Sequence, residues 1–313
     1  MMSARIIADS IHWKLGTRLT TFEVSFPRWI LSEFNTHRLL SRNSASSRAI
    51  PIKANIENIL ADTAMPVVWG VNQAGMVADV EASEEVAARA KSVWYEARDA
   101  AIKAAQALSD LGIHKQIANR LIENFTYQKV IVSATEWDNF FWLRCHKDAQ
   151  PEIKLLGELM LKAYNESTPE VLYHGEWHTP YVAHSREIVS NRLVYLDGNA
   201  LEISVEEAQK ISASCCAQVS YRKSDESLDK AIRVFDMLNL EADSDAVRKH
   251  ASPVEHQATP VILDESTINI EGATHEDHNG DVWSANFKNW IQFRHLFDED
   301  SCKKHPEIIT KGT

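Results

Sequence analysis

Arg18-Leu-Thr-Thr-Phe-Glu-Val-Ser25 alternates and is rich in Thr, Phe and Val, the pattern of a β-strand. Pro27 then opens an amphipathic helix with Trp29, Ile30 and Phe34 on its apolar side. That helix delivers a polar segment, Asn35-Thr-His-Arg-Leu-Leu-Ser-Arg-Asn-Ser-Ala-Ser-Ser-Arg48, which ends at Ala49-Ile50-Pro51. Further along, residues 82–109 are rich in Ala, Glu and Lys and contain no Gly or Pro, which predicts a long helix stopping at Gly112. Helices are also expected at 114–124, 151–164, 204–217 and 226–238, with a short strand at 128–133. Residues 169–199 hold Gly, Pro and aromatics without periodicity and read as a long ordered connection. The tail after about Pro260 is mixed in character. These elements predict an α/β fold of the α+β type: one mixed sheet flanked by several helices, in a single domain over 1–313.

The 313 residues are 44% hydrophobic and 25% charged, the balance of a soluble globular chain, so disorder and coiled coil are not expected. No apolar run is long enough for a membrane helix, and Met1-Met-Ser-Ala-Arg5 lacks the apolar region of a signal peptide. The net charge of -11 disfavours a general attraction to nucleic acid but leaves room for a local basic pocket for a small anion. Cys145, Cys215, Cys216 and Cys302 form no C-x-x-C pair, so a reducing, cytoplasmic setting is expected. The ten glycines form neither dinucleotide nor P-loop cradle, so anion contacts must come from arginines, hydroxyls and helix N-termini.

The segment 36–48 concentrates such groups: His37, Arg38, Arg42 and Arg48 with Ser41, Ser44, Ser46 and Ser47, and no acid. Guanidinium forks and hydroxyls on one short loop suit a phosphate-bearing ligand, although composition alone favours a solvated basic loop. Arg144 ends the apolar run Phe140-Phe-Trp-Leu-Arg144; an ion pair is its default role, and Arg120 reads as a surface charge. The histidine pairs at 174/178, 250/256 and 275/278 do not make a convincing zinc motif, and no metal is expected. There is no G-x-S-x-G elbow, and no cysteine stands in a nucleophile's context.

Four blocks together resemble the flavin-dependent thymidylate synthases. Residues 36–49 resemble the family signature R-H-R-x-x-S-x-N-x-x-S-x-R-Y, with Thr36 for its first Arg, Ala49 for its last Tyr, and Ser44 for the acid that commonly follows its Asn. Leu143, Arg144, Ala149, Gln150, Glu152 and Ile153 resemble its L-R-x-x-x-x-A-Q-x-E-I block. Cys216-Ala-Gln-Val-Ser-Tyr221 is similar to A-A-R-V-S-F, and His250-x-Ser252-Pro253-x-Glu255-His256 to H-x-[TS]-P-x-E-H. In the family the last two blocks come first; here they follow by more than 150 residues, which implies a circular permutation. The old ends would be joined through 165–212, with new ends between His256 and the strand at 18. Residues 52–80, 165–205 and 262–313 fall outside the resemblance.

The resemblance implies a homotetramer that binds FAD without a Rossmann fold and builds its sites at subunit interfaces. It implies transfer of the methylene of methylenetetrahydrofolate to C5 of dUMP, with reducing power from NADPH through the flavin. On this sequence His37, Arg38, Leu39, Asn139, Ser220, His250, Ser252 and Glu255 would hold FAD. Ala45, Ser46, Ser47, Arg48 and Arg120 would hold the nucleotide, Arg144 would face the pyrimidine, and Ser46 and Arg144 would be catalytic. Loss of the acid at Ser44 keeps open hydroxymethylation of dUMP or dCMP, or methylation of dCMP. A non-catalytic nucleotide- or nucleic-acid-binding relative is the third alternative.

Overall fold

The computed structural model describes residues 1–75, 78, 80–219, 227–238, 250–262 and 270–297. Ser220, Tyr221 and Cys302 lie outside the described residues. Its central feature is a mixed five-stranded sheet of β1 (Ser3–His12), β2 (Arg18–Pro27), β3 (Ser41–Ser44), β4 (Tyr127–Ala134) and β5 (Glu170–Leu172). The spatial order is β3-β4-β2-β1-β5; β5 runs parallel to β1 and the other pairs are antiparallel. The helices are α1 (Leu31–Phe34), α2 (Ile52–Ala61), α3 (Glu84–Asp110), α4 (Lys115–Ala118), α5 (Asp138–Arg144), α6 (Pro151–Glu166), α7 (Val205–Ala217) and α8 (Leu228–Met237).

Period-two alternation in β2 and β4 assigns the two faces. Phe22, Val24, Phe26, Val130 and Val132 pack with Phe140 and Phe141 of α5 and with Ile153, Leu156 and Met160 of α6. On the opposite face Ile131 packs with Cys216 of α7 and with Val219, and Leu19 packs with Ala208 and Ile211 of α7 and with Trp290. Three smaller sheets complete that side: β6 (Ala183–Arg186), β7 (Leu193–Leu196) and β8 (Glu202–Ile203); β9 (Ala258–Pro260) with β13 (Trp290–Gln292); and β10 (His275–Glu276), β11 (Val282–Ser284) and β12 (Phe287–Lys288).

Local signals explain the helix ends. Ser83 caps α3 through Val86 N, and Gly112 lies just past its end at φ 79°, where a side chain would be strained. Ser204 and Glu207 form a capping box on α7. Gln150 caps α6, with Pro151 in its first turn.

The mixed sheet, the long helix and the strand at β4 match the sequence reading, and four expectations need correction. The helix after Pro27 is two short pieces, a 3-10 turn (Arg28–Ile30) and α1, while 114–124 is mostly the 3-10 stretch Asn119–Phe125 after α4. The connection 169–199 contains β5, β6 and β7. The polar segment 35–48 contains β3, whose Ser-Arg-Asn-Ser sequence has little strand propensity; pairing with β4 overrides it.

Candidate functional site

The turn Asn35–Leu40 and strand β3 carry the basic segment along the edge of the sheet. His37 is half-buried and stacks edge-on against Phe140, with ring centroids 4.9 Å apart. Its Nε2 accepts from Arg144 Nε at 2.8 Å. Burial first, then the charges of Arg144 and Arg42, hold its pKa down at about 4. The ring is therefore neutral at pH 7, and because a guanidinium only donates, its proton sits on Nδ1. Arg144 also pairs with Glu33, so the ion pair expected for it is present. α6 passes close behind: a Cβ on Gly157 would lie 3.1 Å from Arg144 Cβ. Gly157→Val should displace Arg144 and reduce turnover with the sheet core intact; full activity of that variant would show that the arginine's placement is unimportant.

Arg42 turns inward. Its NH1 donates to the carbonyls of His37 at 2.9 Å and Phe34 at 3.3 Å, closing the turn that displays residues 37–39. Arg38 and Leu39 are exposed on that turn, and Arg38 makes no ion pair among the described residues. Asn139 is exposed on the first turn of α5.

The block near residue 250 packs directly on this edge. Gln292 Nε2 donates both to Ser41 Oγ at 3.1 Å and to Glu255 O at 2.9 Å, so one amide ties β3 to the turn Ser252–Val254 and its cap Glu255. Ser41 donates to Asn286 Oδ1 at 3.1 Å, and Asn286 Nδ2 holds Leu39 O at 2.8 Å. Asn43 Nδ2 donates to Cys216 O at 2.6 Å, bringing in the end of α7. Glu255 pairs with Arg294; burial raises its pKa, against the charges of Arg294 and Arg42. His250 and Ser252 are exposed at the rim. Thus the basic loop and the histidine-bearing block, some 200 residues apart in sequence, form one wall. Asn286, Gln292 and Arg294, which brace it, come from a tail with no readable signal; Glu33 was missed because it looks like any helix-surface acid.

At the other end of β3, residues 45–50 form a second loop pinned from behind. Gln128 Nε2 donates to Ala45 O at 2.7 Å, and Asn119 Nδ2 to Ser47 O at 2.7 Å and Ile50 O at 3.0 Å. Glu123 gathers Ser47 Oγ at 2.6 Å, Arg120 at 3.0 Å and Arg28 at 3.3 Å. The Ser47 hydroxyl and the Arg120 guanidinium thus each have a protein partner, while Arg48 is exposed and has no ion pair among the described residues. Ser46 is exposed, with its Oγ 3.3 Å from Arg48 N.

The other sequence candidates serve the scaffold. His174 Nδ1 meets Pro260 O at 3.0 Å and His178 is fully buried. Among the described residues no three of His, Cys, Asp and Glu converge as a metal site. No helix among them is long and apolar enough to cross a membrane.

The family model described as thymidylate synthase complementing protein matches residues 13–170, just over half of the chain. The chain belongs to that family. It is the family of flavin-dependent thymidylate synthases, enzymes of one-carbon transfer to pyrimidine nucleotides. The match takes in the basic loop and the Arg144 block and ends before the blocks at 216 and 250. Among solved structures, the chain is similar to a UMP/dUMP methylase PolB from Streptomyces cacaoi bound with 5-Br dUMP, at 23% identity and TM-score 0.41, covering 48% of this chain and 67% of that one. The same protein bound with 5-Br UMP is similar at 19% identity and TM-score 0.44, covering 53% and 90%. No curated protein matches by sequence.

Proposed function

We propose that this chain is a flavin-dependent thymidylate synthase, transferring the methylene of methylenetetrahydrofolate to C5 of dUMP with NADPH as the reductant. The observation that carries the reading is the bridge from Ser41 through Gln292 to Glu255, which joins the family-matched half to a block the match does not reach. That packing supports a circularly permuted chain order.

The wall fits FAD by its donor set. Arg38 supplies a cation with no ion pair among the described residues, His37 an Nδ1–H on a neutral ring, and Leu39 an exposed apolar surface. Asn139, His250, Ser252 and Glu255 would complete it, and Ser220 is the one proposed contact outside the described residues. Bound there, the flavin supplies the reducing equivalents of the reaction.

Nucleotide binding falls to the second loop. Arg48 offers its charge to the phosphate, and Ala45, Ser46 and Ser47 line the loop, with Ser46 near the reacting base; Arg120 supports it through Glu123. Arg144 is held by His37 and Glu33, ahead of β3, whereas Arg48 follows it, and on this reading Arg144 would face the pyrimidine of a neighbouring subunit in a homotetramer. There its fixed charge stabilises negative charge developing on the ring as C5 becomes nucleophilic. No thiol is needed. Burial raises the pKa of Cys145 and puts that of fully buried Cys216 well above the usual range, so neither offers a thiolate.

Two outcomes test the reading. Purified protein should release FAD, and a preparation that binds no added FAD contradicts it. With dUMP or dCMP, methylenetetrahydrofolate and NADPH, product masses should show methylated dUMP. A hydroxymethylated product, or turnover of dCMP alone, would instead assign the altered chemistry that Ser44, in place of an acid, leaves open. Arg48→Ala should weaken nucleotide binding by roughly tenfold to a hundredfold; unchanged affinity would move the phosphate site elsewhere.

A further inference from the structure

Behind the wall, a single file of hydrogen bonds crosses the sheet. Ser10 Oγ on β1 meets His178 Nδ1 at 2.8 Å, and His178 Nε2 meets Thr21 Oγ1 on β2 at 2.8 Å. Thr21 Oγ1 meets Ser133 Oγ on β4 at 2.6 Å, and Ser133 Oγ meets His256 Nδ1 at 2.8 Å. All five side chains are buried, and His256 Nε2 has no partner among the described residues. His256 directly follows Glu255, at the end of the turn that forms the wall.

Burial keeps both imidazoles neutral, with pKa values of about 3, so each carries one ring proton. Five protons then serve four bonds, so one is always left over, and four orders make all four bonds, with the spare proton on Ser10, Thr21, Ser133 or His256. In one, Ser10 donates to His178, His178 through Nε2–H to Thr21, Thr21 to Ser133, and Ser133 to His256 Nδ1. Every hydroxyl is then satisfied, and only His256 Nε2–H is left over. In each of the other three His256 donates through Nδ1, so a hydroxyl of Ser10, Thr21 or Ser133 loses its acceptor in the interior and His256 Nε2 is a bare lone pair, two unmet groups instead of one. Each unmet buried group carries a free-energy cost, which selects the first order.

We propose that this file locks His256 as the Nε2–H tautomer and makes it the positioning residue of the turn Ser252–Val254, fastening one wall of the site to three strands of the sheet. Its meaning for cofactor binding rests on the flavin reading above; the lock itself does not.

The test uses the full-length chain labelled with 15N. Long-range proton–nitrogen spectra should show His256 protonated on Nε2 only, and a ring protonated on Nδ1 overturns the lock. Ser133→Ala should replace the single tautomer by a mixture. It should also speed amide exchange at Val254 and Glu255 while β2 and β4 keep their protection. His256→Asn, which retains an acceptor at the Nδ1 position for the Ser133 hydroxyl, should keep the slow exchange. Equal exchange at Val254 and Glu255 in wild type and Ser133→Ala overturns the positioning role. FAD titration is the functional arm: Ser133→Ala should weaken FAD about tenfold and leave dUMP affinity unchanged. A wild type that fails to bind FAD sinks the flavin reading, while the tautomer and exchange results still decide the lock.

Discussion

Taking the protein from pH 7 to pH 5 should lower its unfolding free energy by about 4 kcal/mol, because two imidazoles cannot accept a proton without leaving the interior. Burial holds His178 and His256 at pKa values of about 3, against 6.5 for an exposed ring. Between those values the unfolded chain binds protons that the folded chain refuses, so stability falls as pH falls. The loss starts near pH 6.5 and grows until the folded rings titrate near pH 3. At pH 5 each ring is about 1.5 pH units below its unfolded pKa, costing roughly 2 kcal/mol apiece. His37, half-buried at a pKa of about 4, pushes the same way with a smaller effect because solvent screens it. Urea unfolding at the two pH values measures the difference. Equal stability at pH 5 and 7 would mean that the rings are solvated, or charged, in the folded protein.

Arg144→Ala should cut turnover by roughly a hundredfold to a thousandfold, the range for losing one preorganised donor at a site of developing charge. The structure adds a second consequence, because Arg144 Nε holds His37 Nε2 at 2.8 Å and its charge helps depress that ring's pKa. The variant should therefore raise the pKa of His37 and free its ring, which a histidine titration by NMR reads directly. Arg144→Lys keeps the charge without the fork and should keep the pKa low while losing most of the turnover. Unchanged turnover in Arg144→Ala removes the arginine from the chemistry.

Much of the scaffold was legible because its signals are local. Residues 84–110 are helical by propensity and caps, and Tyr127–Ala134 is a strand by its β-branched run. β1 was not readable: Ile6-Ile7 breaks its alternation, and the structure places a register shift there. β3 was hidden because its residues are polar and only pairing with β4 extends them. In the candidate site, the exposed residues proposed to meet a ligand carried family motifs, and most of those that brace them did not. Gln292, Asn286, Arg294 and Glu123 act by tertiary placement, which no spacing in the sequence encodes. Some motif residues are braces themselves: Gln150 and Glu152 bond one another, and Glu152 Oε1 accepts Val67 N at 2.9 Å, anchoring a segment outside the resemblance. Arg42, grouped by sequence with the phosphate-binding cations, closes a turn instead.

Tritium release from dUMP labelled at C5 tests the central claim most directly, because any one-carbon transfer to that carbon must expel its hydrogen whether the product is methyl or hydroxymethyl. With FAD, NADPH and methylenetetrahydrofolate, the wild-type chain should release tritium into water, and omitting FAD should stop it. Label that stays on the nucleotide in the complete mixture would contradict the account.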